Sequence, residues 1–134
     1  MEKVELAQAN TSRESYHHGN LRAALLTAAE AELAENGPEG FTLRGCAKRA
    51  GVSHAAPAHH FTDVSGLLTA LAADGFERFL AAIKSSADAS GPATPSSRLV
   101  AAGLGYIAFA RDNPALFRLM FASNRPDYAQ PILA

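Results

Sequence analysis

Thr42 to Phe61 reads TLRGCAKRAGVSHAAPAHHF, and the order of capping, small and apolar residues in it decides the fold. The Thr42 hydroxyl is placed to cap a helix over Leu43–Ala50, behind the apolar anchor Phe41. Leu43, Cys46, Ala47 and Ala50 recur at spacings of three and four and form its inner stripe. Gly51 supplies the positive φ of a tight exit, Val52 plugs the core, and Ser53 is set to cap a third helix from His54 to about His60. A small residue at the helix crossing (Ala47), a glycine in the turn, an apolar plug and a short second helix with an exposed start together spell a helix-turn-helix. Pro57 falls at about the fourth position of that second helix, where it removes only the bond to the Ser53 carbonyl, at some cost.

Upstream, Leu21, Leu25, Ala28, Ala29 and Leu33 mark an amphipathic helix capped by Asn20, with Arg22, Glu30, Glu32 and Glu35 mostly on other faces. Gly37-Pro38 ends it with an αL-capable residue and one that cannot continue a helix. Residues 1–18 show no hydrophobic period and read as a flexible arm. Downstream, Asp63 caps a fourth helix with the broad apolar stripe Leu67, Leu68, Leu71, Ala72, Phe76, Phe79, Leu80 and Ile83, running to about Ala87. Ser85 to Ser97 (SSADASGPATPSS) reads as a linker. Thr94-Pro95 then opens a fifth helix with Leu99, Leu104, Ile107 and Phe109 on or near its buried faces, and Asn113-Pro114 repeats the signal before Leu116, Phe117, Leu119, Met120 and Phe121. With no strand pattern, the expected class is all-α.

The chain has 134 residues, 48% of them hydrophobic and 19% charged, a composition neither of a disordered chain nor of a membrane protein. Leu99 to Ala110 carries no charge, but at 12 residues it falls short of the roughly 20 that span a bilayer. The first 18 residues lack the apolar core of a secretory signal, so the sequence reads as cytoplasmic, with no membrane partner. A lone cysteine, Cys46, excludes an intramolecular disulfide framework and a cysteine-based zinc cluster. His17-His18 and His59-His60 diverge by about 100° on a helix, no His-x-x-x-His spacing occurs, and no acidic cluster joins them, so neither a metal site nor a cofactor is expected. No catalytic constellation is expected either: Ser53 and His54 are adjacent in sequence only, Cys46 sits on an inner stripe, and Gly103-Leu104-Gly105 lies mid-helix. Net charge is −1, yet Phe41 to Phe61 holds Arg44, Lys48 and Arg49, together with His54, His59 and His60, and no acid.

Gly19 to Phe79 resembles the DNA-binding domain of the tetracycline-repressor (TetR) family of bacterial regulators, through a helix ending in Gly, then G-F-T-L-R, A-x-x-A-G-V-S and H-H-F. GYIAFARDNPALFRLMFAS, residues 105–123, is similar to the regulatory domain of one TetR subgroup. The resemblance implies a three-helix helix-turn-helix domain, residues 19–79 with the motif at 42–61, joined by a long fourth helix to a helical regulatory domain within 80–134. It implies a transcriptional regulator of the repressor type, bound to double-stranded operator DNA. Thr42 and Arg44 would meet the DNA backbone or a base edge, His54, Ala55 and Ala56 would open the recognition helix in the major groove, and Lys48 and His59 would lie nearby.

The family's switch, a small apolar inducer that shifts the fourth helix, would place Phe76, Phe79, Tyr106, Phe109, Phe117 and Met120 around a ligand pocket. Two positions depart from the family pattern. Ala58 stands where a tyrosine usually precedes H-H-F, and Val64 where a lysine usually follows the turn. Each lost phosphate contact flattens the salt dependence of binding by about one unit. Family members also dimerise through two final helices, whereas this sequence stops at Ala134, so a shortened regulatory domain is expected. The homodimer would then use another surface, such as the Leu99–Phe121 hairpin. The alternative is a helical remnant that does not bind DNA alone and partners a full-length regulator.

Overall fold

The computed structural model describes the backbone of residues 2–89, 91, 94–123 and 125–126, and side chains from Asn20 onward. Six helices follow one another: α1 (Glu2–Gly40), α2 (Leu43–Ala50), α3 (Ala56–Phe61), α4 (Val64–Ala89), α5 (Pro95–Asp112) and α6 (Pro114–Ala122). No strand occurs among the described residues, in keeping with the all-α expectation.

The backbone of α1 is helical from Glu2, not from Asn20. No proline precedes Pro38 and no glycine separates Glu2 from Gly19, and Glu, Leu, Ala, Gln and Arg there are good helix formers. His17 and His18 lie outside the described side chains. Gly37, at φ 72° and ψ 172°, kinks the helix in a region that essentially only glycine occupies, so the stop at Gly37-Pro38 is a sharp redirection into 38–40.

Thr42 and Gly51 bound α2 as read. The Thr42 hydroxyl accepts from the Gly45 N–H at 3.0 Å, and Gly51 adopts φ 69° with its N–H on the Lys48 carbonyl. Helix α3 starts two residues later than expected. Ser53 serves it through its carbonyl, which accepts from the Ala56 N–H at 3.1 Å, and no side chain caps it. Pro57 therefore sits in the first turn, where no helical N–H is used, and the expected cost disappears.

Helix α4, 26 residues and about 39 Å long, is capped by Asp63, whose carboxylate accepts from the Gly66 N–H at 2.8 Å. It runs on to Ala89, so residues 85–89 are helix and the linker is shorter than read. Thr94 caps α5 by accepting from the Ser97 N–H at 3.2 Å. Three side chains expected on or near the buried faces of α5 point outward: Leu99, Leu104 and Ile107 are 74, 60 and 60% exposed, and Leu80 of α4 is exposed as well. The cause is Gly105. A Cβ there would come within 2.9 Å of the Ser86 side chain and the Ala82 carbonyl, so α5 meets α4 along its Gly105–Phe109 side and turns the opposite side to solvent.

One buried core runs from Leu25 and Leu33 of α1 through Cys46, Phe61, Leu67, Leu71 and Phe79 to Phe109, Leu119 and Met120. Helix α6 packs on both α1 and α4, with Leu116 and Met120 closing over Gly75.

Candidate nucleic-acid interface

The orientation of α2 against α1 rests on a carboxylate that the sequence reading placed off the inner face. Glu32 is 4% exposed. It accepts from Arg49 Nε at 2.7 Å and from Asn36 Nδ2 at 2.8 Å, and Arg49 also pairs with Glu35. Gly45 lies directly over the Glu32 carboxylate, leaving no room for a side chain. Glu32 and Asn36 in fact continue the three- and four-residue series of Leu25, Ala28, Ala29 and Leu33, a signal that could have called for a buried cation partner.

That pairing divides the three cations of α2. Arg49 is held against α1, while Arg44 and Lys48, four residues apart on the outer face, are exposed and have no carboxylate partner among the described residues. Thr42 is exposed beside them. Its oxygen accepts from Gly45, which leaves its own O–H to donate outward. Beneath them Cys46 is buried, its thiol donating to the Leu25 carbonyl at 3.4 Å. Burial first, then the nearby Glu32 charge, pushes that thiol up to about 11 against the pull of Arg49, so it is no activated nucleophile.

His54 and Ala55 lie exposed in the turn, Ala56 begins α3, and Ala58 and His59 face solvent on it. His59 meets His60 edge to face at 5.6 Å. The far end of α3 is pinned by Phe61, buried under the Arg22 guanidinium at 5.2 Å. Thr62 then takes φ 73° and ψ −59°, with the Asp63 N–H bonded to the Phe61 carbonyl at 2.8 Å. This is the strained, φ-positive γ-turn. Gly66 packs so closely on that carbonyl that a Cβ would overlap it. Arg22, Thr62 and Gly66 carry no signal in the sequence.

Two arginines tie the C-terminal helices to this domain. Arg78 of α4 bonds Glu30 of α1 at 2.8 Å and the Asn113 side chain at 3.2 Å. Arg125, past α6, donates to the Pro38 carbonyl at 2.9 Å, and its own carbonyl accepts from Ser65.

Of the residues expected around a ligand, Phe79 touches Tyr106 and Phe109 with ring centroids 5.3 and 5.4 Å apart. Phe117 contacts Tyr106, and Phe121, not singled out for that role, bridges Phe76, Phe79 and Phe117. Met120 is buried against Gly75. An open groove of about 540 Å³ runs beside them between α4 and α5, lined in part by Ser86, Leu104, Phe109 and Asp112.

Among the described residues no group of three His, Cys, Asp or Glu side chains is placed to hold a metal, and no helix is long and apolar enough to cross a membrane.

A helix-turn-helix carried at one end of a long helix, with further helices packed along the rest, is the architecture of a helical DNA-binding regulator. Residues 25–71 match the family described as "Bacterial regulatory proteins, tetR family", and residues 99–134 match "Tetracyclin repressor-like, C-terminal domain". The two matches together span more than half the chain, and the chain belongs to the TetR family. A protein of unknown function from Rhodococcus sp. RHA1 is 40% identical, with a TM-score of 0.72 over 88% of this chain and 60% of its own. A candidate transcription regulator from Lactobacillus plantarum shares the fold, at 18% identity and a TM-score of 0.53 over 74% of this chain and 55% of its own. The chain thus spans 60% or less of the length of either structure. No curated protein matches it significantly.

Proposed function

We propose that the chain is a transcriptional regulator that binds double-stranded operator DNA as a homodimer. In this reading α3 enters the major groove, with His54, Ala55, Ala56 and His59 at the base edges and Thr42, Arg44 and Lys48 on the phosphates. The observation that carries it is the division of the α2 cations. Arg49 is neutralised by Glu32 and Glu35, while Arg44 and Lys48 stand outward beside the exposed cap residue Thr42 and the small side chains of α3. Unpaired cations and a free hydroxyl on one helix face suit a polyanion. The small residues Ala55 and Ala58 let the backbone approach a groove floor closely, where a thymine methyl can meet an alanine.

The regulator acts in the cytoplasm as a repressor, released when a small apolar molecule enters between α4, α5 and α6 beside Phe76, Phe79, Tyr106, Phe109, Phe117 and Met120. Support for coupling lies in Arg78 and Arg125, through which movement of the C-terminal helices reaches α1 and the turn before α2.

The test is binding to DNA from the chain's own promoter region across a salt series. Arg44→Ala and Lys48→Ala should each lower affinity and reduce the salt slope by about one unit at unchanged helicity. A slope that neither substitution alters removes α2 from the interface.

A further inference from the structure

We infer that His54 and His59 read guanine in the operator as imidazolium donors, so that sequence-specific binding takes up protons and tightens as pH falls from about 8 to about 6. The inference rests on the DNA-binding reading of the proposed function and names what the recognition surface reads. Between 54 and 61 the exposed residues are His54 and Ala55 in the turn and Ala58 and His59 on α3; Pro57 and Phe61 are buried, and Ala56 and His60 half-buried. The two alanines end in methyl groups, which can touch a thymine methyl but form no directional bond. Hydrogen-bonded readout therefore falls to the two imidazoles, and the methyls beside them let these short side chains come close to a groove floor.

The motif offers these histidines no anion. Between Phe41 and Thr62 the sequence has no acid, and neither histidine forms an ion pair with a carboxylate among the described residues. Helix α3 packs against α2 and α4. On α2, Arg44 and Lys48 are exposed, Arg49 is paired with Glu32 and Glu35, and Cys46 is buried. At the start of α4 the Asp63 carboxylate accepts from the Gly66 N–H. On α3 itself the His60 ring meets His59 edge to face at 5.6 Å, and Arg22 of α1 lies over Phe61. The protein surrounds the two imidazoles with cations, so the anion that would favour their charged form has to come from the ligand, and a duplex supplies it.

Protonation changes what an imidazole can recognise. The neutral ring has one N–H donor and one acceptor, whereas the imidazolium has two donors and no acceptor. Guanine presents two acceptors, N7 and O6, to the major groove, while adenine sets a donor beside its acceptor and cytosine presents a donor alone. The imidazolium therefore matches guanine and is mismatched to the amino groups of adenine and cytosine. Histidine changes charge within the physiological range, and the phosphates of a bound duplex hold the added proton in place, so affinity rises as pH falls. Arginine and lysine stay charged throughout that range. Contacts from Arg44 and Lys48 then carry salt dependence without pH dependence, and contacts from His54 and His59 carry both.

The probe is a duplex that the chain itself selects from a pool with a randomised central stretch, titrated at pH 6 and at pH 8 at one ionic strength. The selected duplex should contain guanine, and binding at pH 6 should be at least ~10-fold tighter, the effect of holding a proton about tenfold more tightly at each of two sites in the complex. His54→Gln and His59→Gln, which keep a hydrogen-bonding side chain that does not titrate, should each cut that ratio, and the double variant should bring it close to one. Both positions are exposed, so helical circular dichroism should not change. Replacing the guanines of the duplex with 7-deazaguanine, which lacks only the N7 acceptor, should lower the ratio for the unaltered chain. Equal affinity at both pH values, a ratio that survives the double substitution or the 7-deazaguanine duplex, or the same ratio on unrelated DNA each overturns the inference. A chain that selects a duplex and loses affinity on Arg44→Ala, yet binds it equally at both pH values, overturns this inference alone and leaves the proposed function standing. A chain that binds no duplex at either pH overturns both.

Discussion

Helices α2 and α5 solve the same problem with opposite outer faces. Each buries one side: α2 lays Cys46 and Ala47 on α1, and α5 lays Gly105 and Phe109 on α4. On the side left to solvent, α2 presents Thr42, Arg44 and Lys48, while α5 presents Leu99, Val100, Leu104 and Ile107. A solvated cationic face is stable as it stands and attracts a polyanion. An uncharged apolar face remains a liability until something apolar covers it. The difference gives the two ends of α4 unlike surfaces, an exposed cationic one beside α3 and an uncharged apolar one on α5.

If the contrast is real, the two faces should respond differently to losses beneath them. The largest effect is expected at Glu32. Glu32→Ala deletes a buried carboxylate bonded to Asn36 and Arg49 and should cost about 3 kcal/mol, near the lower end for breaking a buried pair because Arg49 keeps Glu35. It also loosens the hold of α1 on Arg49, which keeps only Glu35, so the angle of α2 and with it DNA affinity should change along with stability. Urea unfolding and DNA titration of the same variant check both. By contrast, Leu104→Ser on the outer face of α5 should alter the unfolding free energy of the monomeric chain by about 0.5 kcal/mol or less. Equal losses at the two positions would erase the distinction.

Why one helix was readable and the other only in part follows from the same residues. The limits of α2 were legible because both of its ends carry capping chemistry: Thr42 has an oxygen for the first turn and Gly51 tolerates φ 69°. The start of α3 was not, since Ser53 looks like a cap but contributes its carbonyl. The facing of α5 could not be read by period, because apolar residues occupy both of its sides. The absence of a side chain at Gly105 decides which side meets α4. In the candidate site, the outward positions of Arg44 and Lys48 were legible as a run of cations without acids. The removal of Arg49 from that run was not, because its partner Glu32 lies 17 residues away in sequence. The γ-turn at Thr62 has no local sequence signature, since threonine is not a residue that favours φ 73°.

The seal beneath α2 can be sharpened by pH. The folded state holds the Cys46 thiol at about 11, above its ordinary value, so it retains a proton that the unfolded chain releases. This contribution to stability is fully present below about pH 9 and is lost as pH rises toward 11, amounting to roughly 2 kcal/mol at the upper end. Chemical unfolding at pH 8 and at pH 10.5 should show the loss in the native chain. Cys46→Ala should flatten it, because alanine has no proton to hold. An identical alkaline slope in both chains would mean that the underside of α2 admits water and that Cys46 is less sealed than its surroundings indicate.

The smallest effect concerns the corner that aims α3. Thr62 carries φ 73° in a γ-turn, a conformation that a β-branched residue adopts at a cost of about 1–2 kcal/mol and glycine adopts freely. Thr62→Gly removes that strain but loosens the unfolded chain, so the net gain in stability should be about 1 kcal/mol or less. If the strain serves only to close the corner, DNA affinity should stay unchanged while the melting temperature rises. If it holds α3 at the angle the groove requires, the more stable variant should bind DNA more weakly, because glycine also gives the corner other conformations to visit. Gly66 stands against the same carbonyl that accepts the turn's bond, so the corner cannot relax by moving the first turn of α4 inward. Any lost affinity therefore reports on the direction of α3 and leaves the packing of α4 out of account.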